Sequence, residues 1–204
     1  MKKIDNILEN IQKEVEIYGR SGSDRIFKDN LQFSISPEDY DTPSLADEEA
    51  GIGDVAWFFT CARKGLIVPC PNPDRSFWIE HFGKDAIPYG PGWNVDRLIE
   101  NLKTDGKERR AVLCNGSFGD TPPCILSYQF QNLTYNSLDL TVNMRSSDVA
   151  NVLPQDVFMS GIILENIASS VDLEVGKMTF ILANAHVKYS DTLYAEEFSM
   201  DTGY

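Results

Sequence analysis

One long apolar helix set among strands constrains this chain most. Residues 155–171 carry only Asp156 and Glu165 as charges, and Pro154 stands just before them, in the first-turn position that proline favours. Such a helix has to bury against something. Segments 110–115, 125–131, 138–144 and 178–187 hold the β-branched and aromatic residues typical of strands, punctuated by Asn132, Asn136 and Gly176. Strands joined by short turns, with helices grouped elsewhere, predict an α+β layer architecture.

The first half is more helical. Ile4, Ile7, Leu8, Ile11, Val15 and Tyr18 recur at helical spacing between charged residues and predict an opening amphipathic helix, ended by the glycines at 19 and 22. Residues 54–62 are apolar nearly all round and predict a buried helix, while 95–103 predict a short one with Leu98, Ile99 and Leu102 inward. The stretch 34–50, rich in Pro, Asp and Glu, has no apolar period and is expected to form an exposed acidic loop, in part disordered.

At 204 residues and 42% hydrophobic, the chain suits one core, so a single domain over 1–204 is expected. No apolar run approaches the ~20 residues that span a bilayer, and Met1-Lys2-Lys3 leads into alternating charge, so a cytoplasmic protein with no membrane partner is expected. Cys61, Cys70, Cys114 and Cys124 form no C-x-x-C pair; they read as reduced thiols, with no metal site. A net charge of -13 argues against direct nucleic-acid binding, whose affinity rests on Lys and Arg at phosphates. An anionic ligand must instead meet a local cluster of cations.

Three groups of residues have chemical potential. Thr121-Pro122-Pro123-Cys124 stiffens the approach to a strand and holds one thiol in place, with Arg109, Arg110 and Arg145 as candidate cations to favour its thiolate; the alternative is an inert core cysteine. Arg145-Ser146, followed by Ser147-Asp148, offers a forked cation and a hydroxyl that suit a phosphate, or else a surface ion pair. His186, beside Lys188 and Tyr189, is either structural or a sugar or phosphate contact. No P-loop, G-x-G-x-x-G or H-E-x-x-H occurs.

In order, Pro88-Tyr89-Gly90 with Trp93, Arg109-Arg110, Pro122-Pro123-Cys124, Gln129-Phe130, Arg145-Ser146 with Asp148, Leu153-Pro154 and Ala185-His186 resemble thymidylate synthase and its pyrimidine hydroxymethylase relatives. The resemblance implies a mixed β-sheet packed by helices, one sheet face forming a homodimer interface. It implies that Cys124 is the nucleophile adding to pyrimidine C6, that Arg20, Arg145 and Ser146 grip the phosphate, and that Arg109 and Arg110 are lent by the partner subunit. His186 with Tyr189, or Lys188, matches the sugar contact, Asp148 a contact to the base, and Tyr89 a proton-transfer network. Asp54 takes the place of the catalytic glutamate, Trp78 the first of two folate-stacking tryptophans, and His81 the second. The implied cofactor is 5,10-methylenetetrahydrofolate and the implied substrate a pyrimidine nucleoside monophosphate.

Asp156 stands where uracil-using members have Asn. An amide donates to O4 and accepts from N3–H of uracil, whereas a protonated carboxyl offers the reverse pair that cytosine needs, and burial would keep the proton on. A cytidine monophosphate, dCMP or CMP, is therefore the expected substrate, with hydroxymethylation at C5 as the reaction; the alternatives are thymidylate synthesis on dUMP, nucleotide binding without catalysis, and Asp156 as a mere helix cap.

Overall fold

The computed structural model describes residues 2–84, 86–104, 110–116, 122–134 and 136–193. Helix α1 (Lys3–Tyr18) buries Ile4, Leu8, Ile11 and Val15, the stripe expected from their spacing. Strands β1 (Arg20–Ser21) and β2 (Arg25–Ile35) follow, then α2 (Glu48–Lys64), α3 (Phe77–Phe82) and α4 (Val95–Thr104). The second half runs β3 (Val112–Cys114), β4 (Ile125–Thr134), β5 (Ser137–Met144), β6 (Ser147–Asp148), α5 (Leu153–Ser170) and β7 (Glu174–Lys188).

The strands form one sheet in the order β1-β2-β7-β5-β4-β3, with β6 beside β7. It is mixed. β5 and β6 run parallel to β7, and the other pairings are antiparallel. The parallel step follows from α5, because a helix between two neighbouring strands carries the chain back to the end where it began. Leu138, Leu140, Val142 and Met144 of β5 and Met178, Phe180 and Leu182 of β7 face the helices and are buried. The alternate residues, among them Thr141, Asn143, Thr179 and Ile181, keep solvent exposure on the opposite face.

Three expectations need correcting. β2 is an eleven-residue strand where no strand was expected, because its alternation is broken by Lys28, Asp29 and Asn30. Asn30 takes a left-handed backbone, φ 55°, which interrupts the period of two. α2 starts at Glu48 and is amphipathic: Ala50, Asp54, Trp57, Phe58 and Cys61 are buried, while Ile52 is exposed. The acidic stretch is tied down rather than loose. Lys3 donates to Asp39 at 2.7 Å, Ser44 donates to Asp5, and the Tyr40 ring lies where a side chain at Gly161 of α5 would be.

Candidate active site

The β4–β5 ladder builds the centre. Ile125 pairs with Met144, so the residue before one strand and the residue after the other lie side by side; the Arg145 amide donates to the Cys124 carbonyl at 2.8 Å. The Arg145 guanidinium then spends its fork on the same corner. Its Nε donates to the carbonyls of Pro122 (2.9 Å) and Pro123 (3.2 Å), one terminal nitrogen reaches the Ser146 hydroxyl at 3.1 Å, and the other approaches Cys124 Sγ at 3.7 Å. Among the described residues no carboxylate pairs with Arg145.

Cys124 is half-buried. Desolvation pushes its thiol above the ordinary value, Asp156 pushes the same way, and the Arg145 charge and Ser146 hydroxyl oppose both.

Asp156 is 1% exposed in the first turn of α5. It is not a cap: the cap position is Val152, and among the described residues the side-chain hydrogen bond at its carboxyl comes from Ser147 Oγ, 3.5 Å from Oδ2. Burial raises its pKa to about 7, with the Ser147 bond pulling slightly the other way. Burial thus holds the carboxyl within its titration range near neutral pH. Tyr89, Tyr128 and Cys124 all feel its charge, which places Asp156 at the centre of this buried group.

Tyr89 is buried, and its hydroxyl accepts the Ile125 amide at 3.0 Å, which anchors the residue next to Cys124. Gly90 makes that placement possible: its φ is +111°, and a Cβ there would lie 2.1 Å from the Phe58 carbonyl oxygen. Asp54 is also buried. Its two oxygens accept from Ser76 Oγ (2.5 Å) and from the Trp78 amide (2.9 Å), so it pins the start of α3. Desolvation raises its pKa, against those two bonds. The path from Asp54 to the thiol runs through rings, Trp78 to Tyr89 at 4.5 Å.

Trp78 itself turns inward. It is 4% exposed, its indole N–H donates to the Ile87 carbonyl, and Phe58, Phe82 and Tyr89 pack on it. His81 is exposed and stacks on Phe77. It feels the charges of Asp148 and Lys188, as His186 does, so α3 reaches over the same end of the sheet.

At that end the register sets Arg20 beside Phe27, Phe27 beside His186, and His186 beside Asp148 across four strands. Burial lowers the His186 pKa, so it is neutral at pH 7. Asp148 accepts from the amides of Ala150 and Asn151 and closes the turn into α5. Arg20 is exposed and ion-paired with Asp29, and Tyr189 donates to the Gly22 carbonyl at 3.1 Å. Arg110 is exposed and lines a surface cleft with Asn94, Arg97 and Asn101, on the side of α4. Arg109 lies outside the described residues. Sequence reasoning passed over Ser147 and Tyr128: Ser147 was visible in the run that holds Arg145, whereas Tyr128 carried no signal beyond a polar tip on an otherwise apolar strand.

A sequence model of the family described as thymidylate synthase matches residues 86–198, more than half of the chain. The chain belongs to the thymidylate synthase family. It is 29% identical over 127 residues to the thymidylate synthase of Bos taurus, covering 57% of this chain and 36% of that protein. With the thymidylate synthase of Ascaris suum it shares 31% identity over 121 residues, 55% of this chain and 40% of that one. The chain thus spans well under half the length of these curated relatives. The family match takes in Cys124, Arg145, Asp156 and His186, the residues around which the site is built. Among the described residues, no helix is long and apolar enough to cross a membrane.

Proposed function

We propose that this protein transfers a one-carbon unit to C5 of a pyrimidine nucleoside monophosphate, with cytosine as the base, dCMP or CMP, and a hydroxymethyl group as the product. The observation that carries this reading is a buried carboxyl, Asp156, poised to keep a proton near neutral pH beside a thiol braced by an arginine that no carboxylate among the described residues pairs with. In this mechanism the phosphate binds Arg145 and Ser146, drawing the nucleotide over Cys124. Arg20 joins from β1 by exchanging Asp29 for the phosphate. His186, with Tyr189 or Lys188, meets the sugar. Asp148 meets the base from the side.

As its proton leaves to solvent, the Cys124 sulfur adds to C6, and the C5–C6 π electrons move to C5, which becomes nucleophilic. Asp156 supports that step by donating to ring N3 and accepting from the N4 amino group. Tyr89 and Asp54 serve the proton traffic at C5. Once C5 has bonded to the one-carbon unit, loss of the C5 proton and departure of the carrier would leave an exocyclic methylene on C5; water adds to that carbon, giving up a proton, and expulsion of the Cys124 thiolate from C6 restores the aromatic ring of the hydroxymethyl product.

The one-carbon donor that the family resemblance implies is 5,10-methylenetetrahydrofolate. Trp78 does not fit the stacking role assigned to it, since the core covers its ring; His81 and Phe82 are the exposed rings on α3. A homodimer through the exposed sheet face, with Arg109 and Arg110 lent to the partner's phosphate, is part of the same proposal. It is supported by the sheet face whose residues on β5 and β7 keep solvent exposure among the described residues, and by Arg110 lining a surface cleft beside α4.

Release of tritium from C5-labelled dCMP, CMP and dUMP tests the reading. Release from the cytidine nucleotides that is abolished in Cys124→Ser is the expected result. Preference for dUMP would replace the cytosine reading with thymidylate synthesis, and tight binding without release from any of the three would make this a nucleotide-binding protein.

A further inference from the structure

A protonated carboxyl has one oxygen that donates and one that accepts, and on its own it exchanges the two roles. Base selection by Asp156 needs them fixed, because reversal sets a donor against a donor. Among the described residues, one group breaks the symmetry. Ser147 Oγ is directed at Oδ2 and not at Oδ1, and Ser147 is 2% exposed on β6, whose pairing with Ala185 of β7 holds its backbone.

We propose that Ser147 is a positioning residue for base recognition: by donating to Oδ2 it leaves the proton on Oδ1, aimed at ring N3 of a cytosine. This rests on the reading of Asp156 as the base contact. The other groups that face Asp156 do not compete for the task. Tyr89 Oη is engaged with the Ile125 amide, and Ser160 donates its proton to the Asp156 carbonyl at 2.6 Å. Cys124 and Tyr128 are neutral at pH 7, both held high by burial, and neither bonds to the carboxyl. A hydroxyl donor gains most from the oxygen that lacks a proton, so its presence at Oδ2 assigns the acceptor. That oxygen then has two donors, Ser147 and the N4 amino group. Uracil, with a proton at N3 and an oxygen at C4, meets both roles reversed.

The test measures dCMP and dUMP binding by calorimetry at pH 6, and the Asp156 titration by carboxyl carbon-13 NMR, in the full-length chain. In Ser147→Ala the carboxyl loses a bond that favours its ionised form, so the midpoint should rise by about half a unit to one unit. The preference for dCMP over dUMP should shrink about three- to tenfold. Ser147→Cys, nearly isosteric and a weaker donor, should fall between wild type and Ser147→Ala, which guards against simple misfolding. An unmoved midpoint or an unmoved preference in Ser147→Ala overturns the proposal. Asp156→Asn separates the two possible failures. If it inverts the preference toward dUMP while Ser147→Ala changes nothing, Asp156 reads the base and Ser147 has no part in it; if neither alters the preference, the reading of Asp156 falls as well.

Discussion

Replacing Asp156 by Asn should change how stability depends on pH, and the size of the change can be worked from the burial of one carboxyl. In the unfolded chain the group titrates at its ordinary 3.8; in the fold, burial lifts it to about 7. Between those two values the folded state holds a proton that the unfolded chain has released. Rising pH therefore weakens the wild-type fold through this window, by up to ~1.4 kcal/mol per unit, and the loss totals about 4 kcal/mol by pH 8. Below pH 4 it disappears, since both states are protonated. Asn has no such titration, but its amide leaves one N–H short of a partner beyond Ser147, a pH-independent cost of about 1–2 kcal/mol. The variant should thus be slightly less stable than wild type at pH 4 and more stable by about 2–3 kcal/mol at pH 8. Urea denaturation at intervals from pH 4 to 8 measures this, and other carboxylates cancel in the difference. Parallel stability curves for the two proteins would refute the assignment of a proton to Asp156.

The thiol offers a second check: Arg145→Ala removes the cation that favours the Cys124 thiolate, so alkylation of Cys124 by iodoacetamide at pH 8 should slow about tenfold, whereas Asp156→Asn should accelerate it. Gly90→Ala should cost about 2–4 kcal/mol in a thermal or urea melt, because the left-handed backbone and the Phe58 carbonyl both exclude a Cβ. Tyr128→Phe should change stability by less than about 1 kcal/mol, since among the described residues the buried hydroxyl makes no hydrogen bond of normal geometry and only the Ser160 hydroxyl favours its ionised form; a larger loss would reveal a bond formed in solution.

Several elements were legible from residue order alone because they depend on local periodicity. The stripe of α1, the apolar run of α5 and the strands β4, β5 and β7 each repeat with a period that burial imposes, and the structure places them within a few residues of the expected bounds. β2 was not legible, because its polar centre and the left-handed Asn30 break the alternation that marks a strand. α3 was missed since its six residues follow a proline-rich loop and are too short to show a helical period. Within the site, the residue types of Cys124 and Arg145 suggested a nucleophile and a phosphate fork while leaving a core thiol and a surface ion pair open, and the base contact of Asp156 came from the family resemblance alone.

Local sequence thus determined which chemistry the chain can attempt: a thiol after two prolines, an arginine after a strand, and an acid where an amide is expected. Tertiary structure decided the state of those groups. Whether a carboxyl keeps its proton depends on how much water the surrounding fold excludes, and α5 packed on the sheet excludes nearly all of it from Asp156. Whether an arginine is free to bind an anion depends on what reaches it through space, and the β4–β5 register gives Arg145 two carbonyls, a hydroxyl and a sulfur in place of an acid. The same packing turned Trp78 into the core, because burying an indole ring among other rings removes more apolar surface from water than leaving it at the rim of a cleft.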